Sequence, residues 1–146
     1  PGNEETMKNI TVSTAIVLLL CFLLITGCAQ KQAVTYLSAD ESAQVATYTD
    51  VAAQNIINAI AANDYNLFIS DFDEQMRHAL PEEQFATIVK MYVKNGQAES
   101  ISLLNMEDRG DFIGANYGVT YSNAALTMLI VVAKSDPSLV SGLWFK

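Results

Sequence analysis

The chain has 146 residues, room for one domain of ordinary size. Eight basic residues against sixteen acidic ones leave a net charge of -8 and a pI near 4.4, the wrong sign for neutralising phosphate backbones, so charge argues against nucleic acid as a partner. With 51% apolar and only 16% charged residues, the chain departs from the roughly 25% charged norm of soluble domains, so something beyond a soluble core raises the average.

The excess sits at the front. Met7-Lys8-Asn9 is followed by an uncharged apolar run over residues 10–25 and then by Thr26-Gly27-Cys28, the order of a basic start, an apolar core and small residues at a cleavage point. Residues 1–6 lie ahead of that start and read as an added remnant or a misplaced beginning. Ile25-Thr26-Gly27-Cys28 resembles a bacterial lipobox, which implies a leader over residues 1–28 and lipid attachment at Cys28. The alternative is an uncleaved anchor helix, since residues 10–27 reach the roughly 17 that a spanning helix needs. Either reading makes the membrane a partner and puts the rest of the chain at the cell envelope, outside the cytoplasmic membrane. Cys21 and Cys28 are the only cysteines. The part after Cys28 therefore has no disulfide, thiol nucleophile or thiolate metal site, and with His78 as the sole imidazole it has no multi-histidine centre either.

Residues 29–44 mix polar and small apolar side chains and read as a linker; residues 45–146 read as the domain. From Val45, apolar residues at Tyr48, Ala52, Ile56, Ala59 and Ile60 recur at helical spacing, predicting a helix that ends near Asn63. A short helix with Leu67 and Phe68 follows, then a turn capped by Asp73, then a third helix opened by Pro81-Glu82-Glu83 and closed by Asn95-Gly96. Beyond Gly96 the pattern alternates, predicting strands over 99–106, 112–121, 124–133 and 139–145. Segregated helices and strands predict an α+β fold, with the helices on one face of a four-stranded antiparallel sheet.

Turn residues propose a register. Ser122-Asn123 as a two-residue loop sets Tyr117 opposite Met128 and Ala115 opposite Ile130 on one apolar face. Asp108-Arg109-Gly110 as a three-residue loop sets Leu103 opposite Ala115 and Ile101 opposite Tyr117. A last loop at Ser135-Asp136-Pro137-Ser138 turns Leu143 and Phe145 inward, and Val140 and Trp144 outward beside Leu129 and Val131.

Asn63-Asp64-Tyr65, Phe72-Asp73-Glu74, Leu80-Pro81-Glu82-Glu83-Gln84-Phe85, Asn95-Gly96 and the terminal Ser141-Gly142-Leu143-Trp144-Phe145, in this order, resemble the family called domain of unknown function 3887, within the nuclear-transport-factor-2-like, or cystatin-like, superfamily. The resemblance implies a cone, in which a curved sheet wraps the long helix and encloses a cleft. In that superfamily the cleft is an enzyme site, a binding pocket or filled core, so fold alone does not decide function.

The inward strand positions carry no Asp, Glu or His, which argues against acid-base catalysis in the cleft. His78 with Asp71, Asp73 or Glu74 is the set that fits a base and its orienting carboxylate, and His78 with Asp73 is the least unfavourable catalytic pair. Tyr92, Tyr117 and Tyr121 are pocket candidates, offering phenols to a small apolar ligand. Leu129, Val131 and Trp144 are interface candidates on the outer face. Glu107, Asp108 and Asp111 share a loop without the spacing of a calcium site. The expectation is a membrane-anchored extracytoplasmic lipoprotein whose domain is a non-catalytic ligand-binding or protein-interaction module, without metal or cofactor. A small acid-base enzyme and a self-association (dimerisation) domain are the alternatives.

Overall fold

The computed structural model describes residues 33–146. The leader, Cys21 and the lipid-attachment residue Cys28 lie outside the described residues, among which no helix is long and apolar enough to cross a membrane. A two-residue strand β1 (Thr35–Tyr36) precedes the long helix α1 (Ala39–Ala62). Three shorter helices follow: α2 (Tyr65–Phe68), α3 (Glu74–Ala79) and α4 (Glu82–Tyr92), the last running into a 3-10 turn. Then come β2 (Ala98–Arg109), β3 (Phe112–Tyr121), β4 (Ala125–Ala133) and β5 (Asp136–Phe145). The fold is α+β, as expected.

The sheet is not the expected cone. It has five strands, ordered β1-β2-β3-β4-β5, and it is neither closed nor curled. Tight hairpins link β2 to β5, so the strands lie down in sequence order as an antiparallel meander. The fifth strand comes from the segment read as linker, with Thr35 opposite Asp108 and Tyr36 opposite Glu107. That strand is too short to close anything, because Ser38 leaves the sheet at once to cap α1.

The caps explain the helices. Ser38 Oγ accepts the Glu41 N–H at 3.4 Å, and the Glu41 carboxylate accepts the Ser38 N–H at 3.1 Å, a reciprocal capping box that starts α1 at Ala39 rather than Val45. Asn63, left-handed at φ 53, ends it. Asp64 and Asp73 cap α2 and α3 through the N–H groups of Leu67 and Met76. Phe68 packs on Phe72 and Phe85 at ring-centroid distances of 5.1 and 4.7 Å, tying the short helices together. Around Phe72 the chain also grips β5, since Asp73 N–H donates to Val140 O and Val140 N–H to Asp71 O.

The β3–β4 hairpin turns at Ser122-Asn123 in the expected register, Tyr117 opposite Met128 and Ala115 opposite Ile130. The β2–β3 register differs. Arg109 faces Phe112 across a two-residue turn, with Gly110 at φ +76 in the position that a tight hairpin gives to glycine. That turn sets Met106 opposite Ala115, where it is buried. A bulge at Leu104 then shifts the alternation by one, so Leu103 faces Tyr117 and Ile101 faces Val119. On β5 the turn is Lys134-Ser135, with Ala133 opposite Asp136. Irregular pairing between Val140 and Gly142 rotates Val140 to face Val132 in the core, so its expected outward position is wrong. Leu143 and Phe145 pair with the inward Ile130 and Met128 as expected, and Trp144 lies opposite Leu129.

The core lies between α1 and the sheet. From α1 it takes Ala53, Ile56, Ile57 and Ile60; from the sheet, Ala115, Tyr117, Met128, Ile130 and Val132. Each fully buried large side chain contributes about 1.5–3 kcal/mol relative to exposure.

Candidate functional site

The three tyrosine hydroxyls have different surroundings. Tyr117 projects from the middle of β3 into α1, where its hydroxyl lies 2.7 Å from Thr49 Oγ1 and 2.7 Å from Asp50 Oδ1. A carboxylate only accepts, so Tyr117 donates to Asp50 and Thr49 donates to Tyr117. Burial, with the Asp50 carboxylate adding to it, pushes this phenol far above its ordinary pKa. Tyr92 stacks on Phe145 with ring centroids 4.6 Å apart. Burial raises the Tyr121 phenol too, with Tyr92 the next contributor, and the Tyr121 hydroxyl has no hydrogen-bond partner among the described residues.

The acid-base set is dispersed. The His78 side chain is 82% exposed, and its nearest acid is the equally solvated Glu74, at 3.9 Å. Asp73 is occupied as a helix cap, and Asp71 accepts from Asn55 Nδ2 at 2.8 Å. Two of the three loop acids are paired. Glu107 meets Arg109 at 2.6 Å, which holds its carboxyl below the usual range, and Asp108 meets Lys134 at 2.8 Å with the same effect. Among the described residues no cluster of His, Cys, Asp and Glu side chains is arranged to hold a metal ion.

On the outer face of the sheet, Leu129 and Val131 are 3% and 8% exposed although they stand apart from the helix-side core, whereas Trp144 is 53% exposed. The Trp144 ring lies over Gly142, where a Cβ would come within 2.5 Å of it and 3.3 Å of Val131 Cβ. Leu104 lies over Gly118 in the same way. Beside this apolar cover, Asn116 Nδ2 donates to Asn105 Oδ1 and Glu107 Oε1, both at 2.9 Å. Of the three interface candidates, only Trp144 is presented to solvent.

Sequence reasoning missed an open groove of about 410 Å³ between α3 and the adjoining strand ends, lined by Asp73, Met76, Ala79, Phe112, Ala133 and Ser141. Asp73 was singled out in the sequence for a different reason. The rest meet only because Phe72 pairs with Val140, which brings α3 to the sheet.

No protein family, curated protein or solved structure matches this chain. The fold and these surfaces define a class, a compact α+β domain whose helix-on-sheet packing is consistent with a generic binding or interaction module.

Proposed function

We propose that this chain is a non-catalytic binding module, carried at the outer side of a membrane by lipid on Cys28. The observation that supports the binding half is the position of the polar groups. The inward positions of the sheet are filled with hydrocarbon and with two tyrosines, Tyr121 and Tyr117, the latter tied to Thr49 and Asp50, while the one imidazole stands in solvent. A general base needs a positioned partner and a shielded approach to substrate, and His78 has neither. The anchor half rests on the lipobox-like Ile25-Thr26-Gly27-Cys28 and the apolar run before it.

The test is expression of the full chain in a bacterium supplied with labelled palmitate, beside Cys28→Ser. Label on the parent chain and none on the variant is the expected result. Equal label on both, or on neither, overturns the lipid anchor.

A further inference from the structure

The binding reading leaves the ligand's chemistry open, and the groove beside α3 narrows it. We propose that this groove binds a primary ammonium carried on an apolar stem, either a free amine or the lysine side chain of a protein partner. The inference deepens the binding-module reading and rests on it.

Asp73 is the charged residue that lines the groove. Its Oδ1 accepts the Met76 N–H at 2.7 Å, which orients the carboxylate, and its backbone N–H donates to Val140 O at 3.0 Å, which ties that stretch of chain to β5. Neither an ion pair nor a hydrogen bond to the second oxygen is made among the described residues. The cation this acid would attract is therefore not supplied by the domain, and its geometry is set before anything binds.

The walls decide what the cation must carry. Met76, Ala79 and Ala133 are apolar, and Phe112, 42% exposed, presents a large ring at the groove. A bare metal ion would leave those surfaces wet and would find a single carboxylate. An ammonium on a hydrocarbon stem satisfies both parts, with the charge on Asp73, the stem against Met76 and Ala79, and the Phe112 ring available for cation–π or apolar contact. Gln75 and Ser141 add neutral polar groups at the groove for the ligand's remaining hydrogen bonds. The volume, about 410 Å³, falls within the range of small-ligand sites. The net charge of -8 favours approach of a cation, and no basic residue lines the groove to hold an anion.

The experiment follows the Met76 methyl resonance of the full chain while phenethylamine, N-acetyl-lysine methylamide or 3-phenylpropionate is added. Both amines should shift it in a saturable way and the anion should not. Asp73→Asn keeps a residue that caps a helix equally well but removes the charge, so its melting temperature should hold while amine affinity falls about tenfold or more. Salt supplies a measurement on the parent chain, should the variant not fold: raising it should weaken amine binding. The tighter of the two amines tells a free amine from a lysine side chain. No saturable shift with either amine, an equal response to the anion, undiminished affinity in a folded Asp73→Asn, or binding indifferent to salt overturns the proposal. A failure here with palmitate still on Cys28 leaves the anchored module standing; the reverse result removes the anchor and leaves the groove.

Discussion

Tyr117, in the middle of β3, donates its hydroxyl proton to Asp50, on α1, across 2.7 Å, although the two stand 67 positions apart in the chain. Thr49, next to Asp50, completes the link by donating to the same oxygen. The pair joins the helix layer to the sheet by a directed contact inside a region otherwise held by non-directional packing.

Tyr117→Phe keeps the ring and removes both bonds. A hydrogen bond to a charged acceptor contributes about 1.5–3 kcal/mol, and Asp50 is exposed enough for water to replace part of that, so a loss of about 1–2 kcal/mol is expected. Urea denaturation measures it. A double-mutant cycle with Thr49→Val should show coupling between the two positions, and strict additivity would mean that the hydroxyls do not act on one another.

The same phenols set the alkaline limit of stability. Tyr117, Tyr121 and Tyr92 are all raised above the ordinary tyrosine value, with burial the first cause in each. A group whose folded pKa lies above its unfolded value stabilises fully below the unfolded value, near pH 10, and loses that contribution as pH rises through the folded one. Stability should therefore be insensitive to these groups up to about pH 10 and fall beyond it. Tyr117→Phe should flatten part of the fall. An alkaline profile of urea midpoints identical for parent and variant would contradict the assignment.

Gly142 lies beneath the Trp144 ring, where a Cβ would approach to 2.5 Å. Gly142→Ala must displace that ring, and because the atoms met are the far end of a half-exposed side chain the cost sits at the low end of the about 1–3 kcal/mol typical of overpacking. Tryptophan fluorescence should shift to the red as the ring moves further into water. Trp144→Ala in the same chain should suppress most of the cost. If the double variant is as unstable as Gly142→Ala alone, the strain comes from the backbone rather than the ring.

Features specified by neighbours along the chain were legible. Apolar spacing located α1, α2 and α4 but read α3 as a capped turn, alternation located the four long strands, and Ser122-Asn123 set the β3–β4 register because a two-residue turn leaves little choice. Ser38-x-x-Glu41 is also a local signal, the capping box that begins α1. The apolar periodicity hides it, since most of the first turns of α1 face solvent. The outward side of Trp144 was legible for the same reason of alternation, but its position over Gly142 was not, because a rotamer depends on what the neighbouring strand leaves open.

By itself, then, the sequence determined the α+β class, the order of helices before the four long strands, the apolar side of the β3–β4 hairpin and the acidic composition, since each follows from short-range spacing or from composition. Only the tertiary structure decided that β1 adds a fifth strand, that the sheet stays open, that bulges turn Leu103 and Val140 inward, and that Asp73 and Phe112 line one groove. These depend on contacts between residues distant in the chain. A bulge is chosen when burying one more apolar side chain outweighs a broken ladder, and that balance exists only once the opposing layer is in place.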